Sequence, residues 1–254
     1  MSSRRRRDLL TGSAAAVGAA LLGSPLPLGA SQGTGRAATR RLKLLVAGAH
    51  PDDPESIAGG TILRYTDAGH EVVCLYLTRG EAGIAGKTHA EAAAVRTDEA
   101  LKACSLLKAR ARLVGQVDGA TEVGVGRYAE TRRIFDEERP DLVITHWPID
   151  THRDHRAMAL LAYDAWLDGR RFELYYAEAM TGAQTQAFAP SHYVDITAVE
   201  TRKRAACFAH ASQNPPEFYA HHETMHRFRG REAGCELAEA FVRQPSPASG
   251  AFPA

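Results

Sequence analysis

The chain has 254 residues, 31 basic against 30 acidic side chains, and a formal net charge of +1. So even a balance leaves no basic footprint, which excludes nucleic acid as an expected partner. Without the first thirty residues, the balance becomes 27 basic to 29 acidic over about 220 residues, enough for one α/β domain with a sizeable core.

Residues 1–30 do not read as part of a fold. Arg4 to Arg7 form a charged start, an Ala/Leu/Gly run follows, and Pro25 and Pro27 mark a small-residue exit. Those are the parts of a secretory signal, and Arg6-Arg7-Asp8-Leu9-Leu10 resembles the twin-arginine type. The apolar run of about a dozen residues is shorter than the ~20 that span a bilayer. The expectation is export to the periplasm or beyond, with no stable membrane span once the signal is removed. Residues 31–41 read as a linker, 42–243 as the folded domain and 244–254 as a flexible tail. Cys74, Cys104, Cys207 and Cys235 include no CxxC pair, so free structural thiols are expected rather than a thiolate metal site.

Within the domain, short apolar runs at 42–48, 71–77, 112–114, 141–145 and 172–176 read as strands. Helical spacing at 55–68, 89–107, 127–138 and 154–167 lies between them. A short strand at 193–195 and two or three helices complete the chain. Strand and helix alternating at this spacing predict an α/β fold, Rossmann-like, with a mostly parallel sheet covered by helices on both faces. In such sheets the functional site lies beyond the carboxyl ends of the strands. The places to look are therefore just after Gly48, Leu77 and Thr145.

After the first strand comes Ala49-His50-Pro51-Asp52-Asp53-Pro54-Glu55. A simple turn explains Asp53 as a helix cap and Pro54 as a first helical residue, but not His50 or Asp52. After the fourth comes His146-Trp147-Pro148-Ile149-Asp150-Thr151-His152-Arg153-Asp154-His155. Two imidazoles and one carboxylate converging from adjacent strand ends would leave coordination positions open, as a catalytic zinc requires.

His-Pro-Asp-Asp with a downstream His-x-Asp-His resembles the PIG-L/LmbE-like deacetylase family. Arg96-Thr97-Asp98-Glu99-Ala100, Val194-Asp195-Ile196, His210-Ala211-Ser212-Gln213 and Ala238-Glu239-Ala240-Phe241 fall in the order that family shows. Pro54 is a departure, since many members carry Glu directly after the Asp pair. The resemblance implies one Zn2+, or another divalent transition metal, held by His50, Asp53 and His155, with Asp52 as general base. It further implies a protonated His152 stabilising the oxyanion, and Asp154 orienting that imidazole and raising its pKa. Arg96 would bind substrate or hold an active-site carboxylate. Arg79, Glu81 and Tyr176 would be further substrate contacts. The implied reaction removes an N-acetyl group from an N-acetylglucosamine-type sugar or its conjugate. An amidase of larger amide conjugates and a silent sugar-binding protein are the alternatives. The expected partner is a small molecule or glycoconjugate, and a homo-oligomer is left open. His221, His222 and His226 lack an accompanying carboxylate and are discounted as ligands. Phe218 and Tyr219 are candidates for stacking on a sugar ring.

Overall fold

The computed structural model describes residues 40–245. The export signal, nearly all of the linker and the tail from Ser246 onward lie outside the described residues. No helix among the described residues is long and apolar enough to cross a membrane.

Five strands run parallel: β1 (Lys43–Gly48), β2 (Glu71–Thr78), β3 (Arg110–Gln116), β4 (Leu142–His146) and β5 (Glu173–Ala177). Two more, β6 (His192–Asp195) and β7 (Ala238–Arg243), extend the sheet beyond β5, with β7 antiparallel to both neighbours. The order is β3-β2-β1-β4-β5-β7-β6. The chain therefore builds outward from β1 in one direction, then crosses back to β4 and builds in the other. A crevice opens at such a reversal, between the carboxyl ends of β1 and β4. The sequence pattern gives no strand at Ala238-Glu239-Ala240-Phe241; the structure makes 238–243 a full strand of the sheet.

Alternation along the strands sorts the core into two layers. Leu44 and Val46 pack with Ile57, Ile62, Cys104 and Leu107 under helices α1 (Asp53–Asp67) and α2 (His89–Leu107). Leu45 and Ala47 pack with Ile134, Phe135, Met158 and Leu161 under α3 (Val125–Glu138) and α4 (Arg153–Leu167). Helices α5 (Glu200–Cys207) and α6 (Pro215–Ala233) lie between β6 and β7 in the chain. All four cysteines are free.

Helix α1 is broken at Ala58 (φ −149°, ψ 16°), which frees backbone groups in mid-helix that burial would otherwise leave unpaired. Glu239 of β7 meets the free donors. Its Oε1 accepts the Gly60 N–H at 2.7 Å, and its Oε2 accepts the Thr61 N–H at 2.8 Å and the Thr61 hydroxyl at 2.6 Å. Lys203 meets the freed carbonyl of Ser56 at 2.8 Å and donates to Glu239 Oε1 at 2.6 Å and to His226 Nε2 at 2.9 Å. Both charges are buried, and such a pair is tolerable because every donor and acceptor it offers is used. Gly60 keeps the packing this close: a Cβ there would sit 2.4 Å from Ile196 Cγ2.

Candidate active site

The turn after β1 sets the site. A Cβ on Gly48 would lie 2.5 Å from the Asp53 Cβ and 2.7 Å from the Pro54 Cδ, so only glycine lets α1 start this close to the strand. Asp53 opens α1, and its Oδ2 accepts the His50 N–H at 2.7 Å. Between them Asp52 is held at φ 113°, a conformation that costs a residue with a side chain about 1–3 kcal/mol and is typical of functional sites. Arg96 holds it there. Its Nη2 donates to Asp52 Oδ2 at 2.8 Å and also to the Pro51 carbonyl. Gly80 and Gly83 make room for that guanidinium, since a Cβ on either would lie 2.4 Å from Arg96 Nη1. Arg96 thus meets the Asp52 carboxylate and also lines the cavity, positions that suit either of the two roles expected for it.

Imidazoles and carboxylates gather around Asp53. Its Oδ1 lies 3.4 Å from His155 Nε2, and its Oδ2 lies 3.3 Å from His50 Nδ1 and 3.1 Å from His146 Nε2. Asp150 backs His155, with Oδ1 3.4 Å from Nδ1, and is itself fixed by the His152 N–H and the Thr185 hydroxyl. Asp118 and Asp154 approach His50 Nε2 at 3.2 and 3.1 Å. Among the described residues, three donor groups lie close enough to hold a cation: His50 with His152 and His155, Asp53 with His146 and His155, and His50 with Asp118 and Asp154. This nitrogen and oxygen donor set fits a borderline metal such as zinc, and a carboxylate behind a ligating imidazole is the usual support.

The electrostatics follow from the crowding. Burial opposes charge on His50, but Asp118, Asp154 and Asp53 outweigh it and hold its pKa well above the ordinary histidine value. Burial likewise opposes charge on His155, yet Asp53 and Asp150 lift it to about 9. Asp53 is buried but drawn well below the usual carboxylate range by His155 and His146. His146 is pushed down to about 4 by burial and by His155. Burial raises Asp52, and Arg96 only partly offsets it.

Five expectations need correcting. Asp154 does not orient His152: its carboxylate takes His50, the Gly119 N–H at 2.7 Å and the Thr121 hydroxyl at 2.6 Å. The His152 ring instead accepts the Asp154 backbone N–H on Nδ1 at 3.3 Å, capping α4. Nor is its pKa raised: burial lowers it, and the neighbouring His50 and His155 lower it further. Tyr176 turns into the α3/α4 layer, with its hydroxyl on Gln244 Oε1 at 3.2 Å. Arg79 is exposed, and Glu81 turns to the backbone N–H groups of Arg79 and Asp118; neither lines the cavity.

The cavity above the cluster measures about 550 Å³. His50, Asp52, Asp53, Arg96, His152 and His155 all line it. Also on its wall are groups not anticipated from sequence: Asp118, Gln184 and His222. Asp118 had a readable signal. It opens an Asp-Gly turn just past the carboxyl end of β3, where the strand-end rule applies as well as it does after β1.

The profile of the GlcNAc-PI de-N-acetylase (PIG-L) family matches residues 45–166. A diacetylchitobiose deacetylase from Thermococcus kodakarensis is 28% identical over 216 residues, which are 78% of this chain and 81% of that one. Among solved structures, a conserved protein from Thermus thermophilus is 30% identical, with a TM-score of 0.69 over 83% of this chain and all of that one. The inhibitor complex of N,N'-diacetylchitobiose deacetylase from Pyrococcus horikoshii has the same fold (TM-score 0.71, 24% identity, 82% of this chain and 87% of that one). The matched profile runs from β1 into α4 and carries His50, Asp52, Asp53 and His155, and the likeness continues through the rest of the domain: the chain belongs to the PIG-L family.

Proposed function

We propose that the protein removes the N-acetyl group from an N-acetylglucosamine-type sugar or its conjugate, with zinc held by His50, Asp53 and His155. The observation that carries this reading is the meeting, on one cavity wall, of that donor set with a strained aspartate clamped by Arg96. The relatives named as deacetylases of diacetylchitobiose support the substrate class.

When bound, the metal supplies a Lewis acid that polarises the amide carbonyl and makes water acidic. Asp52 takes the proton of the attacking water. Arg96 occupies its Oδ2, while Oδ1 has no hydrogen bond among the described residues. The raised Asp52 pKa keeps it basic enough to take that proton and return it to the departing amine. With Nδ1 used as an acceptor, a neutral His152 carries its proton on Nε2 and can donate to the oxyanion as it forms.

Protein loaded with zinc and given N,N'-diacetylchitobiose should release acetate and free amine in equal amounts, and chelation should stop both. No acetate from any N-acetylated sugar would sink the reading. Export through the twin-arginine route belongs to the same proposal, on the strength of Arg6-Arg7 alone. Replacing both by Lys should leave uncleaved precursor in the cytoplasm. Normal export of that variant would argue for a general secretory signal instead.

A further inference from the structure

One wall of the cavity is built by α6 and carries no charge. Phe218 and His222, four residues apart, lie on the same face of the helix, and both line the cavity. Their rings meet edge to face, with centroids 5.8 Å apart. Phe218 is half-buried, whereas His222 is 4% exposed and its Nδ1 finds no partner among the described residues. A buried polar atom left unpaired costs about 1–3 kcal/mol unless a ligand or water meets it.

The charge state of that imidazole is set from behind. Lys203 spends its three protons on Ser56 O, Glu239 Oε1 and His226 Nε2, so His226 accepts on Nε2 and carries its own proton on Nδ1. The His226 and His222 rings lie nearly parallel, 6.1 Å between centroids. Burial, and then the Lys203 ammonium, hold the His222 pKa down to about 3. A neutral imidazole offers one donor and one acceptor. Beside an aromatic edge, that matches a neutral sugar ring, whose C–H face is apolar and whose rim is hydroxylated.

We propose that His222 and Phe218 form a substrate-contacting, specificity-determining wall that receives a neutral pyranose ring, His222 hydrogen-bonding a hydroxyl and Phe218 packing on the ring face. This rests on the amino-sugar reading above and adds to it the residues that recognise the sugar. Neither residue belongs to the metal cluster or handles the proton.

The test compares the zinc-loaded protein with its His222→Phe, His222→Gln and Phe218→Ala variants, using N,N'-diacetylchitobiose as the probe. Kinetics, calorimetric binding and zinc content are measured for each. His222→Phe and Phe218→Ala should each raise KM and Kd roughly tenfold, the effect of one lost hydrogen bond or ring contact. Zinc content should be unchanged and kcat should stay within about twofold, since neither side chain is asked to act in the transition state. His222→Gln keeps a donor and an acceptor and should recover most of the affinity, which a purely structural role would not require. Unchanged KM and Kd in Phe218→Ala, or in a folded His222→Phe, overturn the inference even if the parent hydrolyses the sugar normally. A parent that binds the sugar without releasing acetate, and loses that binding in these variants, leaves the wall standing and removes the proposed reaction. A parent that neither binds nor hydrolyses it removes both.

Discussion

Asp52→Asn should lower hydrolysis of an acetamido sugar by about 10²–10⁴-fold, the usual contribution of a positioned general base, while zinc content stays near that of the parent. The amide has the size and turn preference of the acid, and Arg96 can still donate to its oxygen. What it loses is the capacity to take a proton at the free oxygen. The neighbouring Asp53→Asn should behave differently. Asp53 lies among His50, His146 and His155, so weakening it should cost metal and activity together. Adjacent, chemically identical residues should thus fail in separable ways, read by metal analysis alongside kcat. If Asp52→Asn loses the metal and Asp53→Asn keeps it, the two roles are reversed.

His155→Ala should remove both metal and turnover, because it deletes a donor shared by two of the three candidate groups. Asp150→Asn is the finer probe. It touches His155 Nδ1 from behind and lines no part of the cavity, so it acts through the orientation and basicity of that ring. Outer carboxylates of this kind contribute 10–100-fold to metal affinity. Competition with a graded chelator should show a loss of about that size, with activity restored by excess zinc. In His155→Ala, zinc at the same concentration should restore nothing. Equal metal affinity in all three proteins would mean that the cation is held elsewhere.

Much of this site could be read from sequence because strand ends are easy to find. The apolar runs of β1 and β4 are buried on both faces and stand out from their surroundings, and the polar clusters follow them directly. What could not be read depended on direction rather than position. His152 and Asp154 are two apart at a helix start, where such side chains do not face each other, so the imidazole meets the Asp154 backbone N–H and not its carboxylate. Tyr176 lies next to the end of a strand, but the alternation of side chains turns it into the α3/α4 core layer. Strand β7 was missed because Ala-Glu-Ala-Phe places a carboxylate in the middle of a buried strand. Only the distant Lys203 and the break in α1 make that tolerable. His222 was discounted for lacking a carboxylate, and nothing nearby in sequence shows that α6 lies over the strand ends.

The carboxylate that seals the α1 break also orders events in time. Glu239 closes on Gly60 across 179 residues, so the donors at the α1 break find their protein partner only when β7 has been made. A nascent chain halted after α4 would expose a half-built sheet with the α1 break unsealed, despite holding every donor of the candidate metal groups. Contacts this far apart close slowly, because the entropy of the intervening loop is lost before they form. Sealing of the α1 break is thereby tied to the arrival of β7.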